Sequence, residues 1–283
     1  MQKVSVVMAS CNPNAKMLKN AINSVLLQTH KDFEFIIVDD GSNIPVKQIV
    51  SSISNDKRIV VYRIDNSGLG AALNFGIGKS SGKYIARLDD DDMMLPKRLQ
   101  KQVEYLEKHQ DVSCVGTWHY DKYKNKFYPH RKFPIDHEGI VSHLLQSRFS
   151  LAHTTLMFRR EAFDKIGGYR IPRGGQDLDL ELQLGTVGLL ANLPDYLSIY
   201  TISTSGLGTI NPQKYAAYLF ALRDVEKRGL YPEYKELVHK TIIQMQKIEK
   251  SCTKNLRERW KRKLLIFRIQ LFGKELNKLE LKK

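Results

Sequence analysis

Two hydrophobic periods alternate along the first hundred residues. Val4–Met8 (VSVVM) is a β-branched run that ends in the loop residues Ser10, Cys11, Asn12 and Pro13. Leu18, Ile22, Val25 and Leu26 then recur at helical spacing and predict a helix over 14–28. Phe33–Val38 predicts a second strand running into Asp39-Asp40-Gly41-Ser42, followed by a weak helix over 45–53. Ile59–Ile64 reads as a third strand, 70–79 as a helix of small residues, and Tyr84–Leu88 as a fourth strand. Beyond it the pattern predicts a helix from Pro96 to His109, a strand over Val112–Trp118, and an irregular polar and aromatic stretch over 119–150. A short strand at Thr155–Phe158, helices at 161–166 and Asp177–Val187, and an extended segment at Leu190–Tyr200 follow. From Pro212 onward the reading is helical, interrupted between Gly229 and Pro232.

Strands that alternate with helices imply βαβ units and a mostly parallel sheet, and such sheets bind ligands beyond the carboxyl ends of their strands. The polar clusters Ser10–Asn12, Asp39–Ser42, Asn66–Gly68 and Asp89–Asp92 all fall at those ends. With 283 residues and 42% hydrophobic content the chain can bury a sizeable core. The net charge is +15, but residues 250–283 hold 12 Lys/Arg and 3 Asp/Glu, so most of the excess is a C-terminal feature. Three widely spaced cysteines, Cys11, Cys114 and Cys252, form no CxxC pair and exclude a full disulfide framework, as expected in a reducing compartment. The N-terminus opens on a strand pattern rather than a signal peptide, and no apolar run reaches the ~18–20 residues of a spanning helix. The expectation is a cytoplasmic protein, peripheral at the membrane if the tail binds lipid.

Each polar cluster admits chemistry and a plainer structural reading. Asp89-Asp90-Asp91-Asp92 places four carboxylates together, which repel unless a cation is present; Mg²⁺ or Mn²⁺ takes such ligands and bridges them to phosphates. The alternative is a solvated acidic loop. Asp40 could accept a base N–H or a ribose hydroxyl, or could simply form an Asx turn with Gly41. Asn66, Gly68, Asn74 and Gly76 suit close approach of a ligand or tight helix packing. Asp177 could cap a helix or act as a general base. His153 suits a structural role or the acceptor side, and Trp118 could stack on a sugar or pack in the core.

Taken as an ordered series, these segments resemble family 2 glycosyltransferases of the GT-A fold. The resemblance runs from about Val4 to Tyr200 and rests on VSVVMASCN, QTHKDFEFIIVDDGS (28–42), the stretch 66–102 around LDDDD, HTTLMFRREAFDKIGGYR (153–170) and QDLDLEL (176–182). It implies an α/β GT-A domain over 1–205, with a nucleotide-sugar half (1–110) and an acceptor half (111–205), and a helical extension over 206–283. It implies that Ala9, Ser10, Cys11, Asp40, Asn66, Gly68, Asn74, Asp89 and Asp90 surround the nucleotide sugar, UDP being favoured through Asp40. Asp91 and Asp89 match the metal-binding signature for Mn²⁺ or Mg²⁺, and Asp177 matches the base that deprotonates the acceptor hydroxyl. Trp118, His153 and Gln176 fall on the acceptor side. The implied reaction is one in-line displacement with inversion, in which the cation stabilises the departing diphosphate.

The sequence departs from the family pattern at three places. Gln176 stands where Glu is usual, Cys11 where Tyr is usual, and Tyr200–Gly208 lacks a His often found there. A nucleotidyltransferase would want a Gly-rich basic loop after the first strand, which ASCNPN lacks. Nucleic-acid binding is disfavoured because most of the positive excess sits in one tail and the core lacks aromatics interleaved on a basic sheet face. In that tail Leu256, Trp260, Leu264, Phe267 and Leu271 share one helical stripe beside a basic cluster. This suits a membrane surface carrying a lipid-linked or glycan acceptor, or packing on the same chain or on a second copy.

Overall fold

The computed structural model describes residues 3–124, 126–171, 174–202 and 212–253. Its first half contains β1 (Val4–Ser10), α1 (Ala15–Leu26), β2 (Phe33–Asp40), α2 (Val46–Ile53), β3 (Ile59–Ile64), α3 (Leu69–Gly78), β4 (Tyr84–Arg87), β5 (Met93–Met94) and α4 (Arg98–Lys108). The second half contains β6 (Val112–Tyr123), β7 (Lys126–Pro129), α5 (His137–Leu145), β8 (Met157–Arg159), α6 (Arg160–Ile166), α7 (Gln176–Leu184), β9 (Leu189–Thr201), α8 (Pro212–Arg228) and α9 (Lys235–Thr253).

The strands form one sheet in the order β3-β2-β1-β4-β8-β6-β9-β5, with β7 paired to β6. β1 runs parallel to β2 and β4, and β2 parallel to β3. β8 enters antiparallel between β4 and β6, which restores the direction for β6 and its parallel neighbour β9. Six of the nine strands among the described residues therefore point the same way. The expected α/β architecture, mostly parallel and followed by helices, is the one observed.

Two apolar layers flank the sheet, and the period of two along β1 assigns residues to them. Val7 and Ala9 face the layer that holds Leu73, Leu144, Phe163, Leu182 and Leu222. Val4, Val6 and Met8 face the layer that holds Leu18, Ile22, Leu99 and Leu106. Because both faces are covered, the central strands are apolar throughout. Gly76 lets α3 lie close on the sheet: a Cβ there would meet γ-carbons of Val7 and Val38 at 2.9 Å. That contact resolves Gly76 as a packing residue.

The structure corrects the reading of 119–150. β6 continues to Tyr123 and turns into β7, and α5 follows, capped by Asp136, which accepts the Gly139 N–H at 2.8 Å. The expected strand at 155–158 shifts to Met157–Arg159, because His153–Thr155 forms a 3₁₀ turn. The amphipathic stripe anticipated in the C-terminal tail lies outside the described residues.

Candidate active site

Ends of four neighbouring strands are tied together by hydrogen bonds. At the end of β1, Ser10 Oγ donates to Asp90 Oδ2 at 2.6 Å. At the end of β2, Asp39 is 1% exposed and accepts from the Ser42 N–H (2.8 Å), the Val46 N–H (3.1 Å) and Arg63 Nη1 (2.9 Å). Burial opposes its charge, but these donors hold its pKa below the usual carboxylate range. Asp40 Oδ1 accepts the Ser67 N–H (2.6 Å), its Oδ2 accepts the Gly68 N–H (3.0 Å), and its carbonyl accepts Asn66 Nδ2 (2.9 Å). Asn66 Nδ2 also donates to Cys11 Sγ at 3.3 Å. Gly41 adopts φ +74°, where a Cβ would lie 2.8 Å from the Asn66 nitrogen. Thus Ser10, Cys11, Asp40, Asn66, Gly68 and Asp90 occupy one connected edge, while the Ala9 side chain faces the core.

The aspartate run divides its labour. Asp92 is fully buried and its Oδ1 accepts the Thr201 N–H at 2.7 Å; Thr201 Oγ1 donates to the Asp91 carbonyl at 2.6 Å. This ties the end of β9 to the end of β4. Asp89 lies 2.6 Å from Nη1 of the buried Arg87, and its N–H donates to Thr154 Oγ1. Arg98, also buried, donates through Nη2 to the Arg87 carbonyl at 2.8 Å and supports the run from beneath. Asp90 and Asp91 remain partly exposed. Burial, partly offset by the Ser10 hydroxyl, together with the charge of Asp89 pushes Asp90 up to about 6. Burial and the charges of Asp89 and Asp90 push Asp91 up to about 7. Negative charge is therefore under-neutralised at this edge, and the donors are all oxygen. That combination fits a hard divalent cation such as Mn²⁺ or Mg²⁺.

A second carboxylate site lies on α7. Its N-cap is Gly175, not Asp177. Asp177 is the second helical residue, and its Oδ1 accepts the Leu178 N–H at 3.0 Å. It lines a cleft with Ser147, Arg148, Phe149, Glu181 and Tyr218. Glu181 is 3% exposed, and its Oε1 has no hydrogen-bond partner among the described residues. Burial and then the Asp177 charge push Glu181 well above the usual carboxylate range. Asp179 is committed elsewhere: it pairs with Arg170, which also bridges to Asp224 of α8 at 2.9 Å. Of the two aspartates, only Asp177 faces the cleft. The Tyr169 phenol feels both Asp89 and Glu181, so the two carboxylate groups lie within electrostatic reach of one residue.

Four other anticipated residues are placed as follows. Asn74 uses both ends of its amide on the Tyr169 backbone, donating to the carbonyl (2.8 Å) and accepting from the N–H (2.9 Å). That commitment corrects its assignment to the donor loops: it pins the turn after α6. His153 is buried against the Tyr169 hydroxyl at 2.7 Å, and burial followed by the Arg87 charge holds it well below its ordinary pKa. It thus lies within electrostatic reach of Arg87, the partner of Asp89. Trp118 spends its indole N–H on the Phe133 carbonyl (3.2 Å) and packs edge-on against Tyr196. Gln176 is buried, with Oε1 unpartnered among the described residues. Sequence reasoning missed Asp39, Arg87, Asp92, Thr201 and Glu181. Asp92 and Arg87 stood in plain view beside Asp89, but nothing in residue order reveals that a charged side chain is inward.

The O-antigen biosynthesis glycosyltransferase WbnJ of Escherichia coli is 33% identical over 184 residues, covering 64% of this chain and 71% of that protein. The chain spans only 33% to 41% of the length of glycosyltransferases from Methanocaldococcus jannaschii and Rickettsia species that it also matches. Among solved structures, S. aureus TarS (residues 1–349) in complex with UDP-GlcNAc superposes with a TM-score of 0.70 at 16% identity, covering 86% of this chain and 72% of that one. The mannosyltransferase PcManGT of Pyrobaculum calidifontis, in complex with GDP-Man and Mn²⁺, superposes with a TM-score of 0.65 at 16% identity, covering 85% and 69%. These likenesses give the GT-A fold. The sequence model of glycosyl transferase family 2 matches residues 5–167, more than half of the chain, and the protein belongs to that family.

Proposed function

We propose that the protein transfers a sugar from a nucleotide-sugar donor to an acceptor hydroxyl with inversion at the anomeric carbon. The observation that carries this reading is the aspartate run at the end of β4, hydrogen-bonded to the end of β1 and holding two carboxylates whose charge is disfavoured. Ala9, Ser10, Cys11, Asp40, Asn66, Gly68, Asp89 and Asp90 form the donor side. Asp40 keeps lone pairs beyond the two amides it accepts, so a uracil N–H can share it. UDP is preferred on that ground; TarS holds UDP-GlcNAc and PcManGT holds GDP-Man. Asp91 and Asp89 hold Mn²⁺ or Mg²⁺, which supplies Lewis-acid stabilisation of charge on the leaving diphosphate. Asp177 takes the acceptor proton, Glu181 beside it keeps the cleft polar, and Gln176 and Trp118 border the acceptor side.

The division into a donor half (1–110), an acceptor half (111–205) and a helical extension (206–283) belongs to the same reading. A cell-surface glycan or a lipid-linked acceptor is in keeping with the O-antigen role named for WbnJ. Among the described residues no helix is long and apolar enough to cross a membrane, and attachment through 250–283 is part of the proposal. Family membership favours this reading over a nucleotidyltransferase.

A panel of nucleotide sugars with Mn²⁺ or Mg²⁺, followed by release of nucleoside diphosphate, tests the activity. One or two UDP-sugars should be turned over slowly, and EDTA should stop the reaction. Asp91→Asn should abolish metal-dependent donor binding, whereas Asp177→Asn should keep donor binding and lose transfer. Wild-type transfer by Asp177→Asn would remove the base assignment.

A further inference from the structure

His119 and Asp121 project from the same face of β6, two residues apart, and are buried; His130 follows β7 and is partly exposed. The Asp121 carboxylate bridges the edges of the two rings, with Oδ1 3.4 Å from His119 Nε2 and Oδ2 2.7 Å from His130 Nδ1. One ligand atom from each residue lies within 4.8 Å of the others. The rings stack with centroids 4.4 Å apart, and the His130 N–H donates to the His119 carbonyl at 3.0 Å. The backbone therefore holds the three side chains together before any ligand arrives.

We infer that His119, Asp121 and His130 form a binding site for one divalent transition-metal ion, with Zn²⁺ as the fitting ion. Two imidazoles and one carboxylate are the donor set of such ions, whereas the all-oxygen aspartate run suits Mg²⁺ or Mn²⁺. Tetrahedral bonds of ~2.0–2.1 Å place ligand atoms roughly 3.3 Å apart, so side-chain rotations that draw atoms now within 4.8 Å of one another to that spacing would close the triad on an ion. Each ring coordinates in its neutral form, with its proton on the nitrogen turned away from the ion. The partly exposed His130 provides the entry side, and water completes the shell.

The ion would clamp the β6–β7 hairpin. Phe133 packs on both imidazoles and reaches Phe149, which lines the Asp177 cleft, so the clamp supports the wall of that cleft. This site is separate from the donor cation, and the inference does not depend on the proposed reaction.

The test uses the full chain, stripped of metal by a chelator and held in excess Mg²⁺ to occupy the aspartate run. Co²⁺ is titrated as a visible probe and then displaced by Zn²⁺. One equivalent of Co²⁺ should bind with a tetrahedral d–d spectrum, Zn²⁺ should displace it, and Zn²⁺ should raise the melting temperature. His130→Ala, at a partly exposed position, should weaken binding roughly 100-fold or more, since even outer-shell partners of metal ligands are worth 10–100-fold. Asp121→Asn should do the same with its fold verified by circular dichroism, and Asp91→Asn should bind Co²⁺ like the wild type. Wild-type affinity in His130→Ala, loss of binding in Asp91→Asn, or a thiolate charge-transfer band from a cysteine would each overturn the assignment. So would a wild-type protein that takes up no Co²⁺, which would leave the triad as a hydrogen-bond network alone.

Discussion

Binding of Mg²⁺ or Mn²⁺ at the aspartate run should depend steeply on pH in a range where ordinary carboxylates are silent. The cation takes the ionised form, so each proton still bound reduces its apparent affinity by a factor of one plus ten to the power (pKa − pH). With Asp91 at about 7, lowering the pH from 8 to 5 should cost about 90-fold. Two carboxylates at the ordinary 3.8 would change affinity less than twofold over the same range. The sign for stability runs the other way. Both folded pKa values lie above the unfolded one, so without the cation a penalty grows as pH rises from about 4 and is complete above the folded values. For Asp90 that penalty is about 3 kcal/mol, and divalent ions should relieve it. Isothermal titration with Mg²⁺ from pH 5 to 8, in buffers of different ionisation enthalpy, reads both the affinity and the protons released. Affinity that stays flat across this range, with no proton release, would show that Asp90 and Asp91 are already ionised and that the charge argument for the site fails.

Three further outcomes are expected. Asp179→Asn should lower the unfolding free energy by about 1–3 kcal/mol in denaturant titrations, because Arg170 loses its paired carboxylate but keeps Asp224; Asp177→Asn should change stability by less than about 1 kcal/mol. Gly41→Ala should cost about 1–2 kcal/mol from the left-handed backbone alone, and the clash with Asn66 should raise the donor KM in nucleoside diphosphate release. Asn74→Ala should destabilise the fold by about 1–3 kcal/mol through the two lost Tyr169 contacts, while the donor KM stays within twofold as read by the same assay.

Much of the fold was legible because the central strands are unusually plain. Val4–Ser10 and Phe33–Asp40 are buried along nearly their whole length, so continuous apolar runs mark them. The outer half was harder, and β6 shows why. Past Thr117 its inward positions are His119 and Asp121, while Trp118 and Tyr120 are the more exposed ones, which inverts the pattern that defines a half-buried strand. Helix α5 did leave a signal, with Asp136 at its cap and Ile140, Val141, Leu144 and Leu145 at helical spacing. Its nine residues and internal glycine made it easy to pass over. At the site, the position of the acidic clusters at strand ends was readable from order alone. What each carboxylate does was not: Asp39 and Asp40, or Asp177 and Asp179, differ only in what the folded chain brings to them. Arg63 and Arg170 arrive from 24 and 9 residues away, respectively, to claim Asp39 and Asp179.

Thr201 closes the circuit between the two halves of the molecule. It grips the backbone of Asp91 and the carboxylate of Asp92 at once, so whatever settles on Asp91 also loads the tip of the last strand. That strand carries Tyr196, which buttresses Trp118. A cation–diphosphate complex would thus be felt mechanically on the opposite bank, favouring a compulsory sequence in which the donor docks first and the acceptor second. Initial-rate patterns and dead-end inhibition by the free nucleotide would read that order directly.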